Sequence, residues 1–188
     1  MRVIAGTARS LPLKAPEGMD TRPTTDRIKE TLFNILQPYI PGSVFVDLFS
    51  GSGGIGIEAL SRGASTAYFV EHAPKAISCI EQNLAFTKCA NRGIVIKQDV
   101  LAALHSIRAE YVDIVFMDPP YDSGLEKQVL AALSGMPYVT DETMIIVEAD
   151  LATSFDDAEE LGFTVTREKR YKTNKHVFLS KNQHEKRE

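Results

Sequence analysis

The chain has 188 residues, of which 44% are hydrophobic and 24% charged, a composition typical of one globular domain. No segment approaches the roughly eighteen apolar residues of a membrane-spanning helix, and charge interrupts the first nine residues before a signal-peptide core could form. These features exclude a membrane span and predict a cytoplasmic protein. We expect a single domain over residues 1–188, in which residues 1–40 form an N-terminal arm and helix packed on the core.

The net charge of −4 conceals an uneven distribution along the chain. Residues 1–30 hold six Lys/Arg and four Asp/Glu, residues 31–166 hold seven and eighteen, and residues 167–188 hold eight and three. Basic termini therefore flank an acidic centre. Terminal charges are often only solvated surface, but two basic ends that meet in space would form a surface for nucleic-acid phosphates. The charge pattern alone leaves both interpretations open.

The cysteine content argues against a metal or redox site. Cys79 and Cys89 are the only two cysteines, they lie ten residues apart, and no Cys-x-x-Cys or His-rich partner accompanies them. Reduced structural thiols are the expected role.

Strand-like and helix-like segments alternate along most of the chain. After an extended arm, Thr24 or Thr25 is placed to cap a helix that ends at Pro38. The apolar face predicted for this helix consists of Ile28, Leu32, Ile35 and Leu36. Strands are predicted at 44–49, 66–71, 94–96, 111–117 and 144–147, and helices at 55–62 and 74–88. This alternation predicts an α/β fold with a parallel sheet covered by helices on both faces.

The last third of the chain has a different pattern. Residues 163–167 and 176–179 alternate apolar and polar side chains, and a polar segment at 171–174 lies between them. This pattern predicts an antiparallel hairpin at one edge of the sheet.

A glycine-rich motif lies between the first strand and the following helix. Residues 49–56 read Phe-Ser-Gly-Ser-Gly-Gly-Ile-Gly, which satisfies G-x-G-x-x-G, and Glu71 follows Gly51 by twenty residues at the end of the next strand. Glycines allow the backbone to approach a ligand, and the carboxylate can accept hydrogen bonds from ribose hydroxyls. The motif predicts a nucleoside site, because a turn needed only for packing does not require the acid.

Asp47 helps to decide which nucleoside is bound. A dehydrogenase would hold a dinucleotide pyrophosphate at the glycine loop, whereas a methyltransferase would hold the cationic methionine part of S-adenosylmethionine. A carboxylate four residues before Gly51 repels a pyrophosphate and attracts a cation. Asp47 could also be a simple loop cap. Asp99, at the end of the third strand, is placed to accept a hydrogen bond from the adenine amino group, with Val100 against the ring.

The fourth predicted strand ends in Asp118-Pro119-Pro120-Tyr121. The two prolines make the turn stiff and remove backbone donors. The carboxylate of Asp118 and the carbonyl of Pro119 can accept both N–H bonds of an aromatic amine, while the ring of Tyr121 stacks on the base. Such placement would leave the nitrogen lone pair free to attack a methyl group. A rigid strand exit without a chemical role is the alternative.

The residues by themselves leave several functions open. The amine held by the Asp-Pro-Pro-Tyr turn could belong to adenine or guanine, in DNA or in RNA. An RNA-binding module without turnover is a further alternative, although it would have no need for Gly51, Gly53, Glu71 and Asp118 together.

Five segments together resemble the RsmD family of bacterial 16S ribosomal RNA (guanine-N2) methyltransferases. They are Arg-Val-Ile-Ala-Gly at 2–6, Arg-Pro-Thr-Thr-Asp-Arg-Ile-Lys-Glu-Thr-Leu-Phe-Asn at 22–34, Asp-Leu-Phe-Ser-Gly-Ser-Gly at 47–53, Glu-Ala-Leu-Ser-Arg-Gly-Ala at 58–64, and Asp-Pro-Pro-Tyr at 118–121. The resemblance runs from Arg2 to about Leu179. One departure is that Arg9-Ser10-Leu11-Pro12 stands where the family carries a Gly-Arg-Lys cluster, so two basic contacts to RNA are expected to be missing.

The resemblance implies a Rossmann-like class I methyltransferase with a seven-stranded, mostly parallel sheet in the order 3-2-1-4-5-7-6. The implied donor is S-adenosylmethionine, and the implied substrate is a guanine amino group in 16S rRNA or the small-subunit particle. The chain is expected to act as a monomer without a metal.

Three groups of site residues follow from the motifs and the resemblance. The catalytic group is predicted to be Asp118, Pro119, Pro120 and Tyr121. The cofactor is predicted to contact Asp47, Phe49, Ser50, Gly51, Ser52, Gly53, Glu71, His72, Asp99 and Val100. The predicted RNA contacts are Arg22, Thr24, Thr25, Arg27, Lys29, Lys172 and Lys175.

Overall fold

The computed structural model describes residues 1–16, 25–121 and 123–183. The strands are β1 (Val44–Asp47), β2 (Thr66–Val70), β3 (Gly93–Ile96), β4 (Ile114–Met117), β5 (Met144–Asp150), β6 (Phe163–Arg170) and β7 (Asn174–Lys181). The α-helices are α1 (Asp26–Leu36), α2 (Gly54–Ser61), α3 (Pro74–Phe86), α4 (Val100–Leu104) and α5 (Leu125–Ser134), and a 3₁₀ turn at Gln37–Tyr39 follows α1. No described helix is long and apolar enough to cross a membrane.

All seven strands belong to one sheet in the order β3-β2-β1-β4-β5-β7-β6. The first five strands are mutually parallel, and β7 lies antiparallel between β5 and β6. The predicted Rossmann-like fold class, strand order and C-terminal hairpin are therefore confirmed. The carboxyl ends of the five parallel strands share one edge of the sheet, where ligands bind in folds of this kind.

Element boundaries differ from the sequence predictions in a few places. β4 begins at Ile114, because the amide of Val112 bonds instead to the carbonyl of Tyr138 outside the sheet. β7 begins earlier than predicted, at Asn174, which pairs with Asp150 of β5. The sequence patterns did not predict α4 and α5. Only five residues form α4, which is too short to show a helical period.

Two apolar layers cover the sheet. The first layer includes Val46, Val115, Met117 and Val147, and the second includes Phe45, Phe69, Phe116, Ile146 and Phe178. Helix α1 belongs to the second layer, where it buries Lys29, Leu32, Phe33 and Leu36. Ile28 and Ile35, predicted to lie on the buried face, are only half-buried.

A buried carboxylate of α2, Glu58, is one of the groups that attach the N-terminal arm to this helix. Glu58 accepts hydrogen bonds from the amides of Ile4 (2.8 Å) and Ala5 (3.0 Å). It also pairs with Lys29 (3.3 Å) and Arg62 (2.8 Å), so the arm, α1 and α2 share one ionic centre. This centre fixes the arm beside the glycine loop, since the Met1 side chain lies against Gly54.

Candidate active site

Four predicted acidic residues lie at the carboxyl ends of successive parallel strands. Asp47 is the last residue of β1, Glu71 follows β2, and Asp118 follows β4. Asp99 comes three residues after the end of β3. The parallel pairing of these strands brings the four carboxylates to one edge, above the glycine loop that joins β1 to α2.

The glycine loop is held in a fixed shape by its own backbone. Gly51 and Gly53 have φ angles of 53° and 82°, in the left-handed region that favours glycine. Within the loop, the Gly53 amide donates to the Ser50 carbonyl at 2.7 Å. Asn83 of α3 donates to the carbonyl of Ser52 at 2.9 Å. A Cβ at Gly51 would meet nothing within 4 Å, which indicates open space for a ligand over that residue.

Glu71 is fixed by three backbone amides. One carboxylate oxygen accepts from Gly51 at 3.0 Å, and the other accepts from His72 at 2.8 Å and Ala73 at 2.9 Å. A carboxylate has about four acceptor positions, so one remains for a ligand hydroxyl. The His72 side chain is largely exposed beside Glu71, where a ligand could contact it.

Asp47 is buried and only half satisfied. One carboxylate oxygen accepts from the amide of Gly56 at 3.1 Å, whereas the other has no partner in residues 1–16, 25–121 or 123–183. Burial, together with the smaller effect of the nearby charge of Glu71, raises the pKa of Asp47 to about 7. A buried carboxylate with an unused acceptor is suited to bind a cationic or ammonium group.

The remaining predicted cofactor residues differ in how much of their surface a ligand could contact. Asp99 is exposed and caps α4 by accepting from the amide of Leu101 at 3.1 Å. This cap uses one carboxylate oxygen. The side chain of Val100 is 5% exposed and belongs to the core, so it offers a ligand only a small surface. Phe49 is half-buried against the same apolar layer.

The Asp118-Pro119-Pro120-Tyr121 turn leaves the sheet next to Asp47. Pro119 is buried, Pro120 is exposed, and Tyr121 is 47% exposed. Burial, together with the smaller effects of the charges of Glu148 and Asp47, raises the pKa of Asp118 to about 8. The turn therefore presents an acceptor group, a rigid carbonyl and an aromatic ring together.

A second polar group beside Asp118 was not predicted from the sequence. Glu148 of β5 accepts from Asn174 at 2.6 Å and bonds to Nε2 of His176 at 3.1 Å. The other ring nitrogen of His176 bonds to the hydroxyl of Tyr171 at 3.1 Å. The position of Glu148 directly after the apolar run of β5 was a usable signal, because other acids of the site also follow strands.

The predicted RNA-binding residues fall into three groups. Arg27 and Lys172 are exposed, and Thr25 is exposed while its side chain caps α1 by accepting from Ile28 at 3.3 Å. Arg22 and Thr24 lie outside the described residues.

The prediction for two lysines is wrong. Lys29 is fully buried in its pair with Glu58, and Lys175 is 5% exposed with its ammonium group 3.2 Å from Glu168. A lysine held inside by a carboxylate is not available to a phosphate.

The family model described as Conserved hypothetical protein 95 matches residues 1–180. Ribosomal RNA small subunit methyltransferase D of Haemophilus influenzae is 39% identical over 80% of this chain and 79% of its own length. The Escherichia coli protein of the same name is 36% identical over 80% of this chain and 75% of its own length. The chain belongs to the RsmD family.

Solved structures of this family's fold agree with that membership. The yhhF protein of Escherichia coli is 32% identical and superposes with a TM-score of 0.83, covering 98% of this chain and 99% of that chain. HI0767 of Haemophilus influenzae is 32% identical with a TM-score of 0.79, over 97% and 98% of the two chains. This RsmD family member is therefore a methyltransferase, of an enzyme class that generally uses S-adenosylmethionine.

Proposed function

We propose that this chain transfers a methyl group from S-adenosylmethionine to the N2 amine of a guanine in the 16S rRNA of the small ribosomal subunit. It would act as a single-domain monomer. The observation that carries the proposal is the position of Asp118 and its rigid Pro-Pro-Tyr turn directly beside Asp47 and the glycine loop. An acceptor for an amine and an acceptor for a cation then lie next to each other.

The described residues fit S-adenosylmethionine. The unpartnered oxygen of Asp47 would receive the cationic methionine portion, Glu71 a ribose hydroxyl, and Asp99 the adenine amino group. Gly51 and Gly53 allow the backbone to approach the ligand, with Phe49, Ser50, Ser52 and His72 around it. S-adenosylmethionine, when bound, supplies an electrophilic methyl group on a positively charged sulfur.

The contribution of the chain to the reaction is placement and electrostatics. Asp118 and the carbonyl of Pro119 would accept the two N–H bonds of the amine, and Tyr121 would stack on the base. Positive charge that develops on the amine nitrogen is stabilised by the Asp118 carboxylate. A carboxylate about 4 Å from such a charge contributes roughly 4 kcal/mol at an effective dielectric of 20, which corresponds to on the order of a thousandfold in rate.

The choice of ribosomal RNA rests on the relatives and on the exposed basic residues. The two relatives above are named ribosomal RNA small subunit methyltransferases. Arg27 at the start of α1 and Lys172 in the β6–β7 turn are exposed, and that turn lies at the same edge as the site because Asn174 pairs with Asp150. Phosphate contacts of this kind set affinity without specifying the base.

The alternative functions are less well supported by the site. The half-satisfied, buried carboxylate of Asp47 would face the pyrophosphate of a dinucleotide, which disfavours a dehydrogenase. The Asp118 turn also suits an adenine amine in DNA or RNA, and that alternative is an outcome of the test below.

The test uses small-subunit particles from cells that lack the gene. Purified protein and isotopically labelled S-adenosylmethionine are added, the RNA is digested to nucleosides, and labelled products are identified by mass spectrometry. Labelled N2-methylguanosine is the expected product. Labelled N6-methyladenosine would select the alternative substrate, and an absence of label with intact particles, naked 16S rRNA and DNA would refute the proposal.

A further inference from the structure

Glu148 lies beside Asp118 on the side away from the cofactor residues. Met117 of β4 pairs with Val147 of β5, so continuing this register by one residue sets Asp118 beside Glu148. The strand order β1-β4-β5 places Asp118 between Asp47 on one side and Glu148 on the other. A base whose amine reaches Asp118 extends away from the methyl donor, and Glu148 lies on the side of Asp118 that is opposite Asp47.

The orientation of the Glu148 carboxylate is fixed by β7. Asn174 donates to one oxygen at 2.6 Å, and Nε2 of His176 bonds to the other at 3.1 Å. When the Tyr171 hydroxyl donates to Nδ1 of His176, the imidazole carries its hydrogen on Nε2. Nε2 then donates this hydrogen to Glu148. The ring of Phe116 packs edge-on against His176, with 6.0 Å between centroids, and limits movement of the imidazole.

Two hydrogen bonds do not exhaust the acceptor capacity of Glu148. A carboxylate offers about four acceptor positions, and Asn174 and His176 occupy two of them. The side chain is 6% exposed, so it is not completely sealed from solvent. After the larger effect of burial, the charge of Glu148 also raises the pKa of Asp118, as expected for two carboxyl groups that the strand register places side by side.

Two neighbouring carboxylates suit only one of the bases that carry an amine. Guanine has a donor, N1–H, immediately beside its N2 amine. Adenine and cytosine instead have an acceptor nitrogen beside theirs, and two acceptors facing each other leave a buried group unpaired. We propose that Glu148, held by Asn174 and His176, selects guanine by accepting its N1–H while Asp118 and Pro119 hold the amine. This inference rests on the function proposed above and names the residue that determines its base specificity.

The base 2-aminopurine separates the two contacts, because it keeps the amine of guanine but has an acceptor at N1. Small-subunit particles are assembled with either guanosine or 2-aminopurine at the target position, and kcat/KM for methyl transfer is measured on each. The wild type is expected to prefer guanosine roughly 10- to 100-fold, the range for removing one hydrogen bond to a charged group. Equal kcat/KM on both particles would overturn the inference and leave the proposed function intact, whereas transfer to neither would refute both.

The decisive variant is Glu148→Gln, whose amide can donate to N1 of 2-aminopurine. We expect the preference for guanosine to fall to within about threefold of unity, because the new amide serves both bases. Glu142→Gln is the matched control, since it makes the same chemical change at an exposed residue just before β5, and it should keep the wild-type preference. A Glu148→Gln protein that slows both substrates equally, with an unchanged ratio, would show a merely structural role.

A second variant keeps the test decisive if Glu148→Gln does not fold. Tyr171→Phe removes the hydroxyl that orients His176 but leaves all the buried charges in place. Because Tyr171 acts only through His176, the preference for guanosine should fall severalfold while KM for S-adenosylmethionine stays unchanged. A wild-type preference in Tyr171→Phe would contradict the positioning of Glu148 by this network.

Discussion

The carboxylates of this site differ in how many of their acceptor positions are occupied by hydrogen bonds. Glu71 accepts three backbone amides, whereas Asp47 has an oxygen without a partner in the described ranges of the chain. Burial raises the pKa of Asp47 to about 7 and that of Asp118 to about 8. A cation bound beside either group would favour the ionised carboxylate and release its proton.

The raised pKa of Asp47 predicts pH-dependent cofactor affinity. Below pH 7 the free protein holds a proton on Asp47, and a cationic ligand must displace that proton. Affinity for S-adenosylmethionine should therefore increase as pH rises, and be roughly tenfold weaker at pH 6 than at the plateau near pH 8. Calorimetry at the two pH values measures this ratio. In Asp47→Asn the affinity for S-adenosylmethionine should be lower than in the wild type and almost independent of pH. If the wild-type protein bound S-adenosylmethionine equally well at pH 6 and pH 8, a contact between the cofactor and Asp47 would be contradicted.

The two properties of Asp118, its acceptor atom and its charge, can be separated by substitution. Asp118→Asn keeps an acceptor but lacks the charge, so turnover should fall by up to on the order of a thousandfold and remain measurable. Asp118→Ala lacks both and should be slower still. Single-turnover methyl transfer gives the rates, and calorimetry should show nearly unchanged affinity for S-adenosylmethionine in each variant. If Asp118→Ala transferred the methyl group at the wild-type rate, the Asp-Pro-Pro-Tyr turn would have only a structural role.

The next level of organisation is the packing between the N-terminal arm, α1 and α2. Glu58 is the common partner of two arm amides and of the buried Lys29, so three elements depend on one side chain. Burial lowers the pKa of Lys29, while the charge of Glu58 and its hydrogen bond raise it. Removing one member of such a buried pair leaves the other charge uncompensated.

Glu58→Gln is expected to lower the free energy of unfolding by roughly 3–5 kcal/mol, the usual effect of breaking a buried ion pair. Urea denaturation followed by circular dichroism measures this change. Asp26→Asn is a suitable control, because it disrupts the exposed Arg2–Asp26 pair (3.0 Å) and should change stability by less than about 1 kcal/mol. Equal destabilisation in the two variants would mean that the Glu58 centre does not hold the arm.

These interactions also explain which features could be predicted from the sequence. Strand periodicity, the glycine loop and the Asp-Pro-Pro-Tyr turn are local patterns, so they predicted the α/β class and the four acids that meet at the candidate site, whereas the strand order came from the family resemblance. The burial of Lys29 could not be predicted, because lysine is ordinarily exposed and its partner, Glu58, is distant in sequence. Glu148 was missed for a similar reason: its role depends on Asn174 and His176, which reach it only through the pairing of β5 with β7.

Two exposed basic residues, Arg27 and Lys172, lie on either side of the carboxyl edge of the sheet. The arm brings Met1 against Gly54, and Arg2 of the arm pairs with Asp26 at the start of α1. The N-terminal end of α1, with Arg27, is thereby tied to the glycine loop. Lys172 lies in the β6–β7 turn on the other side of the site. We propose that Arg27 and Lys172 mark the path of the RNA across the cleft, whereas Lys29 and Lys175 are buried.

The double substitution of Arg27 and Lys172 by Gln should raise the KM for small-subunit particles. The dependence of affinity on salt should also become shallower, by roughly one unit of slope for each phosphate that the variant no longer binds. Methyl transfer across a salt series gives both values, and affinity for S-adenosylmethionine should stay unchanged. Lys88→Gln is the control, because this exposed lysine follows α3 at the opposite edge of the sheet. An unchanged slope in the double variant would place the RNA elsewhere.

The central proposal, methylation of a guanine amine in 16S rRNA, is tested in cells. Ribosomal RNA is isolated from wild-type cells, from cells lacking the gene, and from deleted cells that express either the intact chain or Asp118→Ala. Its nucleosides are quantified by mass spectrometry. We expect one N2-methylguanosine to disappear from 16S rRNA on deletion, to return with the intact chain, and to remain absent with Asp118→Ala. An unchanged N2-methylguanosine content of 16S rRNA in the deleted cells would contradict the proposal.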